Sequence, residues 1–403
     1  MNNLKTLIGY EYKKIVIRKS FWITLFFAVG ITLLSCFGDL MGNVYIEGKP
    51  VYSHYQEMKT DRAYARALAG REVGDTLIGE MQKAYGHVPD VPLYSATEDY
   101  QTYARPYSSI YYLVRSVLRY TVDETVTPGH ILKFDGTDYY KQRDIAVQNL
   151  LKKENLTGLE MKKLLEMNEK VKTPLTFQYT DGYHSIMTRM YTIGIILFFA
   201  IIICLAPVFA NEYSERTDQL LLTARYGKNK GILAKLITGI SFGIGISIIL
   251  LLIQSIPTLL LYGTDGWNAQ LQVINVTTTY NLTVLESLLI LCGMTVTASI
   301  LISCICLFLS AKLKSSFGVV VIVGSFITLC LFLHVPQQYR ILYQLVNTLP
   351  MNLIKAEGTF SDYFFIVFGK CFSVFQAVPV IYGFIAAILL ISGYNSFKNH
   401  QIS

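Results

Sequence analysis

Six stretches of this 403-residue chain are apolar over a length at or near what a helix needs to cross a bilayer: residues 21–38, 188–210, 232–260, 284–311, 316–335 and 376–394. A hydrocarbon core about 30 Å thick takes roughly 20 apolar residues at 1.5 Å each. Inside it no water satisfies the backbone, so helices that bond internally are the structures such blocks can form. The chain is 52% hydrophobic and only 16% charged, where soluble domains carry about 25% charge. The pattern predicts an α-helical integral membrane protein with six transmembrane helices and a mainly helical extracellular domain.

Short loops set the orientation. The first twenty residues carry Lys5, Lys13, Lys14, Arg18 and Lys19. The link between the second and third blocks carries Arg216, Arg225, Lys228, Lys230 and Lys235, the next one on that side Lys312 and Lys314, and the tail Lys398. The 262–283 loop has no Lys or Arg. Both termini are therefore expected in the cytoplasm of a multi-pass cell-membrane protein. The first block has a basic leader and no small-residue cleavage site, so it is expected to be an anchor rather than a cleaved signal peptide. Residues 39–187 fall outside, with net charge −2 against +9 for the remainder. That basic face suits anionic headgroups and gives no reason to expect nucleic acid. All seven cysteines lie in or beside apolar blocks and none lies in the outer region. A Gram-positive surface is expected from this, since disulfide pairs are common in oxidising compartments.

The expected domains run as follows. Residues 1–20 form an amphipathic interfacial helix, with Leu4, Leu7, Ile8, Tyr12 and Ile15 on its apolar side. Residues 21–38 are the first span, 39–187 the extracellular domain, and 188–403 a five-span domain. The outer region reads as helices over 53–86, 105–122, 137–157 and 157–173, the last opened by a Thr157-x-x-Glu160 capping box. It holds 16 of the 28 tyrosines, residues that give contact area with a polar tip. Residues 338–375 read as two short outer helices, each too short to span.

Known chemistry is sparse in this sequence. There is no phosphate-cradling GxxxxGK[ST], no HExxH, no clustered His/Cys and no GxSxG. No catalytic, metal or cofactor residues are assigned. The outer acidic pairs Glu98–Asp99 and Asp123–Glu124 read as solvated or capping. Glu286, in the fourth block, and Gln254, in the third, are the polar residues to weigh as intramembrane or pathway groups. Pro207 and Pro257 are expected to kink their helices, and Gly239, Gly243 and Gly245 to admit a neighbouring helix.

The segment "NEYSERTDQLLLTARYGKNKGILAK", Asn211 to Lys235, exceeds what topology demands. A basic loop would account for Lys228 and Lys230. It would not account for Leu220, Leu221 and Leu222 beside Glu212, Glu215, Arg216 and Asp218. The segment reads as a helix end, a short amphipathic helix and a turn at Gly227 before the next span; as a coupling helix, 211–226, it is expected to dock in a groove on a cytosolic partner.

In this segment the chain resembles the type-2 permease family of ATP-binding-cassette exporters. There the second span is followed by a Glu-rich stretch, then GT-x-x-x-LL, a basic turn and a Lys opening the third span. Here stand Glu212 and Glu215, "RTDQLLLTARYGKNK" and Lys235, with Arg216 where the family often has Gly. The layout of interfacial helix, six spans, outer domain after the first span and short outer helices before the last is similar too. The resemblance implies a homodimer or heterodimer of permeases, each docked through this coupling segment on a separate ATP-binding-cassette subunit that carries the ATP and Mg. It implies alternating access moving a hydrophobic or amphipathic peptide, lipid or drug outward, and no enzyme activity on this chain. Two other readings stay open: a sensory permease whose outer domain binds a peptide or cell-wall factor, and a membrane-embedded enzyme.

Overall fold

The computed structural model describes residues 2–46, 49–91, 93–122, 125–224 and 226–399; Arg225 and the Asp123–Glu124 pair lie outside them. It begins with α1 (Asn2–Ile17), which breaks at the extended Arg18 and continues as α2 (Lys19–Phe37). A polar domain follows. It consists of the hairpin β1 (Asn43–Ile46) and β2 (Lys49–Ser53), then α3 (His54–Leu68), α4 (Asp75–Tyr85), α5 (Ser108–Leu118), α6 (Pro128–Leu132), α7 (Tyr139–Lys153) and α8 (Gly158–Asn168). The 53–86 stretch divides because Gly70 adopts φ +84, a left-handed turn that glycine takes without a Cβ clash. The residues after it pair with 175–177: Val73 N–H donates to Leu175 O and Phe177 N–H to Arg71 O.

The long helices come next: α9 (Asp181–Leu205), α10 (Pro207–Ser214), the six-residue α11 (Asp218–Thr223), α12 (Ile232–Tyr262), α13 (Val284–Lys312) and α14 (Ser316–Phe332). The short α15 (Arg340–Asn347), α16 (Pro350–Leu353) and α17 (Ala356–Thr359) lead to the hairpin β3 (Phe365–Val367) and β4 (Lys370–Phe372), then α18 (Val374–Lys398). Among the described residues five helices are long and apolar enough to cross a membrane: Lys19–Leu40, Asp181–Ser214, Gly227–Tyr262, Val284–Lys312 and Val374–Lys398. The chain is thus a mostly helical, multi-pass membrane protein. The fifth block yields the 17-residue apolar helix α14, about 26 Å long at 1.5 Å per residue. Its C-terminus stops short of Pro336, whose ring disfavours helix in the residue before it.

One local expectation changes. Residues 365–372 form a β-hairpin where a second short helix is expected. Phe368 and Gly369 at its tip have φ +50 and +74, the double positive φ of a type I′ turn whose twist matches paired strands. At Pro207 the hydrogen-bonded ladder is interrupted while the backbone stays helical: Ala206 keeps φ −50 and ψ −39, and Pro207, lacking an N–H, opens α10. The N–H groups of Phe209 and Ala210 donate to Ser310 Oγ on α13, and that hydroxyl donates to Ala206 O. The polar side chain of one helix so satisfies the backbone freed in another, as the apolar surroundings require.

One apolar core unites α9, α10, α12, α13, α14 and α18, with α9 at its centre. A second runs from the polar domain into the near ends of α9, α12 and α13. Arg143 of α7 fastens the two parts. Its guanidinium is fully buried and donates to Val276 O (2.9 Å), Thr278 O (3.1 Å) and Asn168 Oδ1 (2.8 Å). Gly243 lets α12 approach α13, since a Cβ there would lie 2.1 Å from Ser303 Oγ.

Candidate functional site

At the Lys/Arg-rich end, opposite the polar domain, the link from α10 to α12 is tied to α1 by charge. Lys235, one turn into α12, is 2% exposed. Its ammonium has three protons to donate, and three acceptors meet it: Glu212 Oε1 at 2.7 Å, Glu11 Oε2 at 2.9 Å and Val208 O at 3.1 Å. Lys14 reaches both carboxylates, at 2.9 Å to Glu212 and 3.2 Å to Glu11. The other Glu212 oxygen accepts from Thr217 Oγ1 at 2.5 Å. Charges this deep persist only when paired and fully hydrogen-bonded, and here two acids meet two bases. Tyr12 adds a neutral tie, its hydroxyl donating to Ser241 Oγ on α12 at 2.7 Å.

The chain between these anchors turns sharply. α10 ends at Ser214, and Arg216 takes φ +55, a left-handed conformation where glycine would be unstrained. α11 then runs for six residues. α10 and α11 are therefore two helices around a break, the helix end and the short helix that the sequence leads one to expect. Gly227 closes α11 against the next turn: a Cβ there would stand 1.5 Å from Leu221 O.

The seven proposed docking residues separate into two sets. Glu212, Asp218 and Leu222 are buried, Leu222 within the main core. Glu215, Arg216 and Leu220 are exposed, and Leu221 is half-buried. Leu220 presents 74% of its surface. Among the described residues the outward surface of this link is thus Ser214, Glu215, Arg216, Gln219, Leu220, Thr223 and Ala224. Sequence reasoning missed Glu11 as a member of the network. A signal existed, because Glu11 is the one acid before Asp39.

The two intramembrane candidates have local partners. Gln254 is fully buried; its amide nitrogen donates to Ile186 O at 2.9 Å, and its backbone carbonyl accepts from Cys36 Sγ. It ties α12 to α9 and α2. Glu286 is exposed and closes a capping box at the start of α13, accepting from Thr283 N–H at 2.8 Å. A charge that sequence reasoning overlooked, Arg189 on α9, is buried and donates to Asp39 Oδ2 at 2.6 Å. Near the same end, a cleft of about 560 Å³ lies between α9, the 271–278 loop and α17, with His184, Tyr191, Lys355 and Phe360 in its wall. Among the described residues no three His, Cys, Asp or Glu side chains come together as metal ligands. The chain matches no family model, no curated protein and no solved structure.

Proposed function

We propose that this chain is the membrane-spanning permease subunit of an ATP-driven exporter, docked through the exposed face of α11 on a separate ATP-binding subunit. The observation that carries this reading is the pairing of a rigid frame with an exposed apolar tip. Glu11, Lys14, Glu212 and Lys235 lock the ends of the link into α1, α10 and α12, while Leu220 projects beyond them. A lone leucine held out on a braced helix suits insertion into a partner's groove. In this reading α14 also crosses the bilayer and brings the count to six spans, both termini are cytoplasmic, and the polar domain faces outward from what the cysteine placement suggests is a Gram-positive cell. Two permeases pair, and an amphipathic substrate leaves between them. The Lys355 cleft marks an exit route beside α9.

The test is co-purification with an ATP-binding subunit, compared between the parent chain and Leu220→Asp. Retained complex and unchanged ATPase activity in the variant would refute docking at α11. A second reading, a sensory permease, draws support from a tyrosine-lined cleft on the polar domain.

A further inference from the structure

The β1–β2 hairpin, α3 and the Ser95–Tyr112 segment enclose a cleft of about 330 Å³, within the size range of small-ligand sites. Four tyrosines line it: Tyr45 and Tyr52 from the hairpin, Tyr100 and Tyr112 from the facing segment. Tyr45 and Tyr112 stand at the rim, 63% and 57% exposed. Glu57 and Asp61, one turn apart on α3, supply two carboxylates.

The floor is pre-built by Arg105, which is 7% exposed. It donates to Asp61 Oδ1 (2.7 Å), Tyr52 Oη (3.0 Å), Gln101 Oε1 (2.6 Å) and Glu57 O (3.5 Å), and its guanidinium lies over the Tyr52 ring at 5.3 Å. This one side chain fixes the hairpin, α3 and the facing segment together. Its charge is offset by Asp61, so the lining keeps one net negative charge, carried by Glu57, one of whose oxygens (Oε2) meets His54 Nδ1 at 3.1 Å. Aromatic faces beside a carboxylate attract an organic cation.

We propose that this cleft binds the ammonium side chain of a lysine on a peptide, with the flanking residues against Tyr45 and Tyr112. A membrane-borne cationic headgroup has the same charge, but the geometry disfavours it. Glu57 and Asp61 lie on one side of α3. Arg62 and Arg66 lie on the other, where Arg62 donates to Leu261 O and Arg66 pairs with Asp265 at the end of α12. The cleft therefore faces away from the helix end where α3 meets the spanning bundle. The proposal does not rest on the permease reading and needs no ATP-binding partner.

The experiment is calorimetric titration of the full chain, in lipid nanodiscs, with the capped peptides Phe-Lys-Phe and Phe-Leu-Phe and with phosphocholine. Saturable binding of Phe-Lys-Phe at least tenfold tighter than Phe-Leu-Phe is expected. Glu57→Gln and the exposed double variant Tyr45→Ala/Tyr112→Ala should each weaken it at least fivefold with an unchanged melting temperature. Equal affinity for the two peptides, no saturable binding, or binding unaltered in the folded double variant would overturn the proposal. Phosphocholine binding tighter than Phe-Lys-Phe would overturn the assignment to a peptide.

Discussion

Replacing Lys235 with Met keeps the length of the side chain and removes the charge that holds α1, α10 and α12 together. Two acids would then share Lys14 alone, and Val208 O would lose its donor. Removing one member of a buried ion pair costs about 3–5 kcal/mol, mostly because the remaining charge is stranded. Lys14 still reaches both carboxylates and Thr217 still donates to Glu212, so the low end, about 3 kcal/mol, applies. At 1.4 kcal/mol per tenfold, local opening of this region should become roughly a hundredfold more frequent. Amide hydrogen exchange over residues 209–217 reads that opening directly. Adding Glu212→Gln to Lys235→Met removes one stranded acid and should slow exchange again. Exchange in Lys235→Met within about threefold of the parent, less than 1 kcal/mol, would refute the idea that this network braces the link.

Other perturbations test separate elements. Gly243→Ala should destabilise the α12–α13 contact by about 1–3 kcal/mol through overpacking, read as a lower melting temperature, and Ser303→Ala should restore most of the loss because the close atom is Ser303 Oγ. Arg143→Met should strand Val276 O and leave Thr278 O with Gln272 Nε2 alone, costing about 2–3 kcal/mol, seen as faster exchange in the 271–280 loop. Burial, reinforced by Asp362 and Glu160, pushes the Glu154 carboxyl up to about 8, and burial raises Asp362 to about 6. A carboxyl raised on folding binds more protons in the native state, so stability of this contact should fall as pH rises from the ordinary carboxyl range through 8. Melting temperature against pH checks this, and Glu154→Gln should flatten the slope.

The spanning helices were legible because an apolar run long enough to cross a bilayer has few other fates. The five long helices fall where the hydropathy puts them. The 365–372 stretch was not legible as a hairpin. A short apolar run such as "YFFIVF" lacks a period that separates strand from helix, and its turn uses Phe368 at a positive φ where Asn or Gly is the usual signal. The charge network was hidden by distance: Glu11 and Lys235 lie 224 residues apart. Glu286 shows the opposite case. Thr283-x-x-Glu286 carries the same capping spacing as Thr157-x-x-Glu160, so its local role was written in the sequence beside the more dramatic reading. The split of the Glu212–Leu222 residues into inward and outward sets depends on the break at Arg216, which no periodicity announces.

The Asp181–Ser214 run, 34 residues, measures about 50 Å at 1.5 Å per residue, some 20 Å more than the hydrocarbon it crosses. Gly182 at its upper end sits under Gly263, where a Cβ would meet the carbonyl oxygen at 2.6 Å, and Glu212 at its lower end is clamped by Lys235. Near its one interruption, at Pro207, Ser310 pins both sides to α13. The molecule is thereby strung on a single drive shaft gripped at both ends. A twist applied beneath α11 and a load placed on the polar domain would be felt along the same axle, with little slack between them.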